Sequence, residues 1–132
     1  MPTLKEVMEG LAELYKSPLV FNEGIYSMEI PVGETGRTQV VNGTVHQDRY
    51  GRDVLLVCTR VGEWSGDLPS DVLLELNLVA PYVKTAKLKN HLIACGDQIL
   101  ETCQVGEVFN LMGEVAAFGD FLEEQIFGSD NA

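Results

Sequence analysis

The sequence predicts an α+β domain whose elements run helix, three strands, helix, two strands, helix, with an antiparallel sheet packed by helices. Three observations lead there. Apolar residues recur at helical spacing in two terminal stretches, Leu4 to Tyr15 and Val108 to Ile126. Between Ile25 and Val61 the pattern changes to alternating or continuous apolar runs separated by glycine-containing turns, as strands require. The stretch from Asp67 to Val105 then reads as an apolar helix feeding a hairpin, on which the rest of the chain packs.

The first helix has a defined start. Thr3-Leu4-Lys5-Glu6 has the capping-box form, in which the Glu6 amide donates to the Thr3 hydroxyl and the Thr3 amide to the Glu6 carboxylate. Leu4, Val7, Met8, Leu11, Leu14 and Tyr15 face the core, Lys5, Glu6, Glu9 and Glu13 face water, and Ser17-Pro18 ends the element. Ile25 to Pro31 is a half-open strand with Tyr26, Met28 and Ile30 on one side, and Val32 to Gly36 turns the chain. Thr38 to Gln47 is a second strand, where Gly43 marks a bulge or the close approach of another backbone. After a turn from Asp48 to Arg52, the nearly continuous apolar run from Asp53 to Val61 suits a central strand covered on both faces.

Asp67 is placed to cap the second helix, Pro69 is tolerated in its first turn, and Asp71 lies near the positive end of its dipole. Val72, Leu73, Leu74, Leu76, Leu78 and Val79 surround that helix, with only Asp71, Glu75 and Asn77 polar. A helix apolar on nearly every side is either sandwiched in the core or shared with a second chain. In a chain this small sharing is preferred, with Val72, Leu74, Leu78, Val79 and Tyr82 as the dimer or partner interface. Pro81 ends the helix near Val79.

Leu88, Leu92 and Ala94 then alternate with Lys87, Lys89 and His91, and Gly96-Asp97 is expected to be the two-residue turn of a hairpin. Ile99, Cys103 and Val105 continue the inner face on the partner strand, with Glu101 a misfit in that register. A long amphipathic helix from about Gly106 to Phe127 closes the chain. Its outer side carries Glu107, Glu114, Asp120, Glu123 and Glu124 and no base, which makes either a solvated face or an acidic docking face for a basic partner segment. Trp64, in the loop from Gly62 to Asp67, is either a lid over the core or a binding anchor. Trp64, Glu114, Asp120 and Glu123 are therefore the candidate partner-binding residues.

The 132 residues fit a single domain over 1–132, with a frayed tail at about 128–132. Twenty acidic against nine basic residues give a net charge of -11, which disfavours nucleic acid, since a phosphate backbone is held by clustered bases. The one local concentration, Lys84, Lys87 and Lys89, reads as a solvated strand edge. Met1 to Ser17 carries Glu6, Glu9 and Glu13 where an export signal needs an apolar core, and no apolar run approaches the roughly 20 residues of a membrane span. A cytoplasmic location without membrane contact is expected.

Cys58, Cys95 and Cys103 show neither a CxxC spacing nor a nearby His pattern and read as buried reduced thiols. With the turn at Gly96-Asp97, Cys95 and Cys103 lie about five strand residues apart, roughly 16 Å, too far to bridge. His46 near Asp48 is the only start of a catalytic or metal site, and no nucleophile, metal set or phosphate-binding glycine loop accompanies it. No cofactor is expected.

The element order, the acidity and the run LLELNLVAP followed by KLKNHLIACGDQILETCQV resemble the type III secretion chaperone-like superfamily, including its YbjN-like branch. In that superfamily a leucine-rich helix with an Asn, here Leu73, Leu74 and Asn77, precedes a hairpin, here Lys87 to Val105, and a final helix packs on the sheet. The resemblance spans Thr3 to Phe127. It implies a non-enzymatic, usually homodimeric α+β domain that binds other polypeptides through apolar sheet surface and acidic outer surface. A small-ligand sensor with a pocket between sheet and helices is the alternative, and an enzyme using His46 and Asp48 is the third reading.

Overall fold

In the computed structural model, residues 2–128 are described. The tail expected to fray from Ser129 onward lies outside them. Helix α1 (Leu4–Tyr15) is followed by β1 (Val20–Asn22), β2 (Ile25–Pro31), β3 (Thr38–Gln47), β4 (Asp53–Glu63), α2 (Ser70–Val79), β5 (Lys84–Leu88), β6 (His91–Ile99) and α3 (Val105–Phe127). The order is the predicted one with a three-residue strand added ahead of the first. All strands are antiparallel neighbours in one sheet of order β1-β2-β3-β4-β6-β5.

The Thr3–Glu6 capping box forms as expected, and Lys16 ends α1 in the left-handed conformation. Strand alternation sends Met28, Ile30, Val41, Leu55 and Val57 to one face, where they meet Val7, Met8 and Leu11 of α1 and Val108, Met112 and Val115 of α3 in the main core. A smaller cluster of Val61, Leu73, Leu92, Ala94 and Leu122 holds the foot of α2 against α3 and β6. The close approach at Gly43 is to a side chain: a Cβ there would meet the Met8 sulfur at 2.6 Å.

The helices all pack on that face. Val54, Cys58 and Ile93 point to the opposite one and are nonetheless buried, although neither core cluster contains them. The central strand β4 is thus covered by helices on one face and by its own neighbours' side chains on the other, where two covering layers were expected. β3 and β4 part beyond the Asn42–Cys58 pair, and a polar network bridges the opening. The Thr59 hydroxyl donates to Val40 O (2.8 Å), Gln39 Nε2 donates to Glu123 (2.7 Å), and Arg37 makes two bonds to Asp120 (2.6 and 3.0 Å).

Two sequence expectations are corrected. Asp67 does not cap α2: the helix starts at Ser70, its cap position is Pro69, and no side chain bonds there. The hairpin turns at Lys89-Asn90 and not at Gly96-Asp97. Lys89 adopts φ 54°, while Gly96 and Asp97 sit in β6 opposite Val57 and Leu56. Glycine at 96 marks a close approach, since a Cβ would meet Leu111 Cδ1 at 2.7 Å and the Tyr82 carbonyl at 2.8 Å. Glu101 ceases to be a misfit because it lies in the turn before α3. No helix is long and apolar enough to cross a membrane among the described residues.

Candidate polypeptide-binding surfaces

The sheet ends in two edges. At β5 the two-residue turn is closed by the hydrogen-bonded Leu88–His91 pair, so by alternation Thr85 directs its backbone N–H and C=O away from β6. The Asn77 side chain takes both: Thr85 N donates to Asn77 Oδ1 (2.6 Å) and Asn77 Nδ2 donates to Thr85 O (3.2 Å). The Thr85 hydroxyl adds bonds to Asn77 Oδ1 and Leu73 O, and Lys84 Nζ donates to the carbonyls of Asn77 and Ala80 at the end of α2. One amide on α2 thereby takes the outward backbone groups of Thr85, while by the same alternation those of Lys87 also point away from β6.

Fixing α2 in this way exposes its other side. Only Leu73 of the helix is buried. Of the predicted interface residues, Val72, Leu74 and Val79 are more than half exposed, Leu78 is 88% exposed, and Tyr82, at φ 71°, is 74% exposed. All five lie on α2 or in the segment just after it.

The opposite edge is open. Val20, Phe21 and Asn22 of β1 are all exposed. The Glu23-Gly24 turn is closed by the Asn22–Ile25 pair, so Phe21, opposite Tyr26, directs its N–H and C=O outward. The Phe21 and Tyr26 rings lie 4.6 Å apart and form one wall of a groove of about 520 Å³ that α1 completes with Lys5, Glu9 and Ala12. Sequence reasoning missed this strand because three residues between Pro18 and Gly24 are too few for a periodicity.

The remaining sequence-predicted residues are not brought together. Glu114 is exposed on α3, but Asp120 is 4% exposed and faces inward, bonded to Arg37. That hydrogen bond, more than any other influence, holds its carboxyl below the usual carboxylate range. Glu123 accepts from Gln39, and Arg37 also reaches Glu124 at 3.1 Å, so this stretch of α3 is tied to the fold and does not form a base-free face. Trp64 is half-buried and packs against the smaller cluster as a lid, its amide donates to Asn90 O, and the Lys87 ammonium lies 6.0 Å from its ring.

His46 sits exposed opposite Val54, while Asp48 is used by its own turn. Asp48 accepts from the amides of Tyr50 and Arg52 and pairs with the Arg52 guanidinium, and the Arg52 amide leads in lowering its pKa. No group of three or more His, Cys, Asp or Glu side chains suited to a metal ion occurs among the described residues.

No protein-family model matches the sequence, and no curated protein matches it. Solved structures do. A chain in the structure of the HopA1–SchA chaperone–effector complex superposes with a TM-score of 0.63 at 18% identity, covering 91% of this chain and 92% of that one. A chain in the structure of the Yersinia pestis type III secretion chaperone SycH in complex with a stable fragment of YscM2 gives 0.59 at 16% identity, covering 91% and 99%. The fold is that of type III secretion chaperones.

Proposed function

We propose that the protein is a non-enzymatic, chaperone-like module that acts as a homodimer and holds an extended segment of a client polypeptide, and that it belongs to the YbjN-like branch of its superfamily. The observation that carries this reading is the open β1 edge with the aromatic-walled groove beside it. An added strand would bond to the outward groups of Phe21 and set alternate side chains against Phe21 and Tyr26. The two solved structures named above each hold a chaperone in complex, with an effector in one and with a fragment of YscM2 in the other, which favours a polypeptide client here.

Self-association is supported by the second apolar surface. Val72, Leu74, Leu78, Val79 and Tyr82 are large and exposed on α2 and the segment just after it, a concentration of apolar residues that is unusual for a surface left in water. Light scattering on the purified chain is expected to give a dimer mass, and Leu78→Asp a monomer. A Leu78→Asp protein that stays an unchanged dimer would remove α2 from the interface, and a wild-type monomer would end the dimer reading.

One observation favours the ligand-sensor alternative. A cleft of about 660 Å³ lies between α1, β6 and α3, lined by Tyr15, Tyr82, Gln98 and Phe109 among others, and the Gln98 side-chain carbonyl oxygen is buried there without a hydrogen-bond partner. Trp64 belongs to the smaller cluster and does not line this cleft, so tyrosine fluorescence is the signal to follow in a metabolite screen.

A further inference from the structure

The sheet brings two of the three cysteines face to face. β4 and β6 are not consecutive in the chain, yet Cys58 and Cys95 are directly opposite in their register. Which kind of antiparallel pair they form follows from the hydrogen bonds around them. The Leu100 amide donates to Asp53 O at 2.9 Å, so Val54–Ile99 is a non-hydrogen-bonded pair, and alternation makes Cys58–Cys95 one too. The β5–β6 turn gives the same answer independently: counting from Leu88–His91, Cys95 spends its backbone groups on Lys84. So does the β3–β4 turn, where the Asp48 amide donates to Arg52 O at 3.0 Å and Cys58 is left bonded to Asn42.

Non-hydrogen-bonded partners are the close pairs of an antiparallel sheet, with Cα atoms about 4.5 Å apart, inside the range that a disulfide spans. Both side chains point to the face without helices. Cys58 is buried and Cys95 is half-buried, which makes Cys95 the point of entry. Cys103 lies in the turn after β6 and packs on the helix side. The charged groups nearest the pair in the register are Lys84, Asp97 and Arg60.

We propose that Cys58 and Cys95 are a cross-strand dithiol that closes to an intramolecular disulfide by exchange with a small-molecule disulfide. The Cys95 thiolate attacks one sulfur of the reagent, forming a mixed disulfide and expelling one reagent thiolate. Cys58, giving up its proton, then attacks the Cys95 sulfur and expels the second. Two protein thiols are oxidised, one reagent disulfide is reduced to two thiols, and the released protons end on them. Burial, together with the neighbouring Cys58 and Asp97, pushes the Cys95 thiol up to about 11, so the exchange is slow at neutral pH and quickens about tenfold per pH unit below that value.

The test uses the full chain and hydroxyethyl disulfide at pH 8 and pH 9, followed by alkylation and peptide mapping by mass spectrometry. The Cys58 and Cys95 peptides together are expected to have lost about 2 Da, the two thiol hydrogens. The product yields a Cys58–Cys95 cross-linked peptide, leaves Cys103 outside that bond as a free thiol or a mixed disulfide with the reagent, and forms about tenfold faster at pH 9. Cys103→Ser should behave as the parent, and Cys58→Ser should stop at a lasting mixed disulfide on Cys95. Three alkylatable thiols at pH 9, a lasting mixed disulfide on Cys95 of the unaltered chain, or a protein disulfide that includes Cys103 would overturn the proposal. Because mapping is done on the unaltered chain, a variant that fails to fold leaves the result intact.

Discussion

At the β5 edge the outward N–H and C=O of Thr85 are taken by the Asn77 amide, while at the β1 edge the corresponding groups of Phe21 face outward beside the groove that Phe21 and Tyr26 form with α1. The strand next to α2 carries Lys84 and Lys87 and is flanked by Lys89, residues that discourage pairing with another chain. β1 has Val20, Phe21 and Asn22 and no charge. An exposed, uncharged edge is an aggregation hazard unless something is meant to occupy it. α2 thus closes the β5 edge at Thr85 and leaves the outward groups of Lys87 there among lysines, whereas β1 faces outward at Phe21 with no charge.

The contrast can be broken at its strongest point first. Asn77→Ala removes both partners of the Thr85 backbone and one of its hydroxyl, and is expected to cost about 2–3 kcal/mol in urea unfolding. It should also free the outward groups of Thr85 beside those of Lys87, seen as concentration-dependent aggregation that the parent lacks. An unchanged unfolding midpoint would mean that α2 is held by its apolar contacts alone.

Next comes the centre of the sheet, where neither edge is involved. Asp120→Asn is expected to cost about 1–2 kcal/mol at neutral pH, discounted because the Arg37 side chain is 33% exposed. The Asp120 carboxyl is depressed in the folded chain, so its contribution is complete above the unfolded value of about 4 and is lost as pH falls through the lower folded value. The two proteins should converge in stability in acid. A constant difference down to pH 2 would assign the loss to packing instead.

The smallest effect on stability and the sharpest on binding is expected at Phe21→Pro. The outward-facing amide makes no bond to β2, so proline removes a donor from the open edge without breaking the sheet. Unfolding should shift by less than about 1 kcal/mol. Affinity for an extended client peptide, read by isothermal titration, should fall about tenfold or more. Equal affinities would move the client away from β1.

The helices and most strands were legible in the sequence because their signals are local. The Thr3–Glu6 cap, the Tyr26–Met28–Ile30 alternation, and the Thr38–Gln47 and Ile25–Pro31 bounds each depend on neighbours a few residues away. The hairpin turn was misplaced for a physical reason. Gly96-Asp97 has good turn chemistry, but its glycine is required by Leu111 and the Tyr82 carbonyl packing against β6, contacts distant in sequence. Lys89-Asn90 turns the chain in its place.

The composition and apolar pattern alone determined the α+β class, the net acidic charge and the apolar character of the second helix, since burial preference and charge belong to residue types. What the tertiary structure decided is which groups meet. It turned Asp120 inward to Arg37, set Asn77 against the outward groups of Thr85, left the outer edge of β1 open and set Cys58 against Cys95. Each of these depends on strand order and register, and a one-residue shift would send every side chain to the other face.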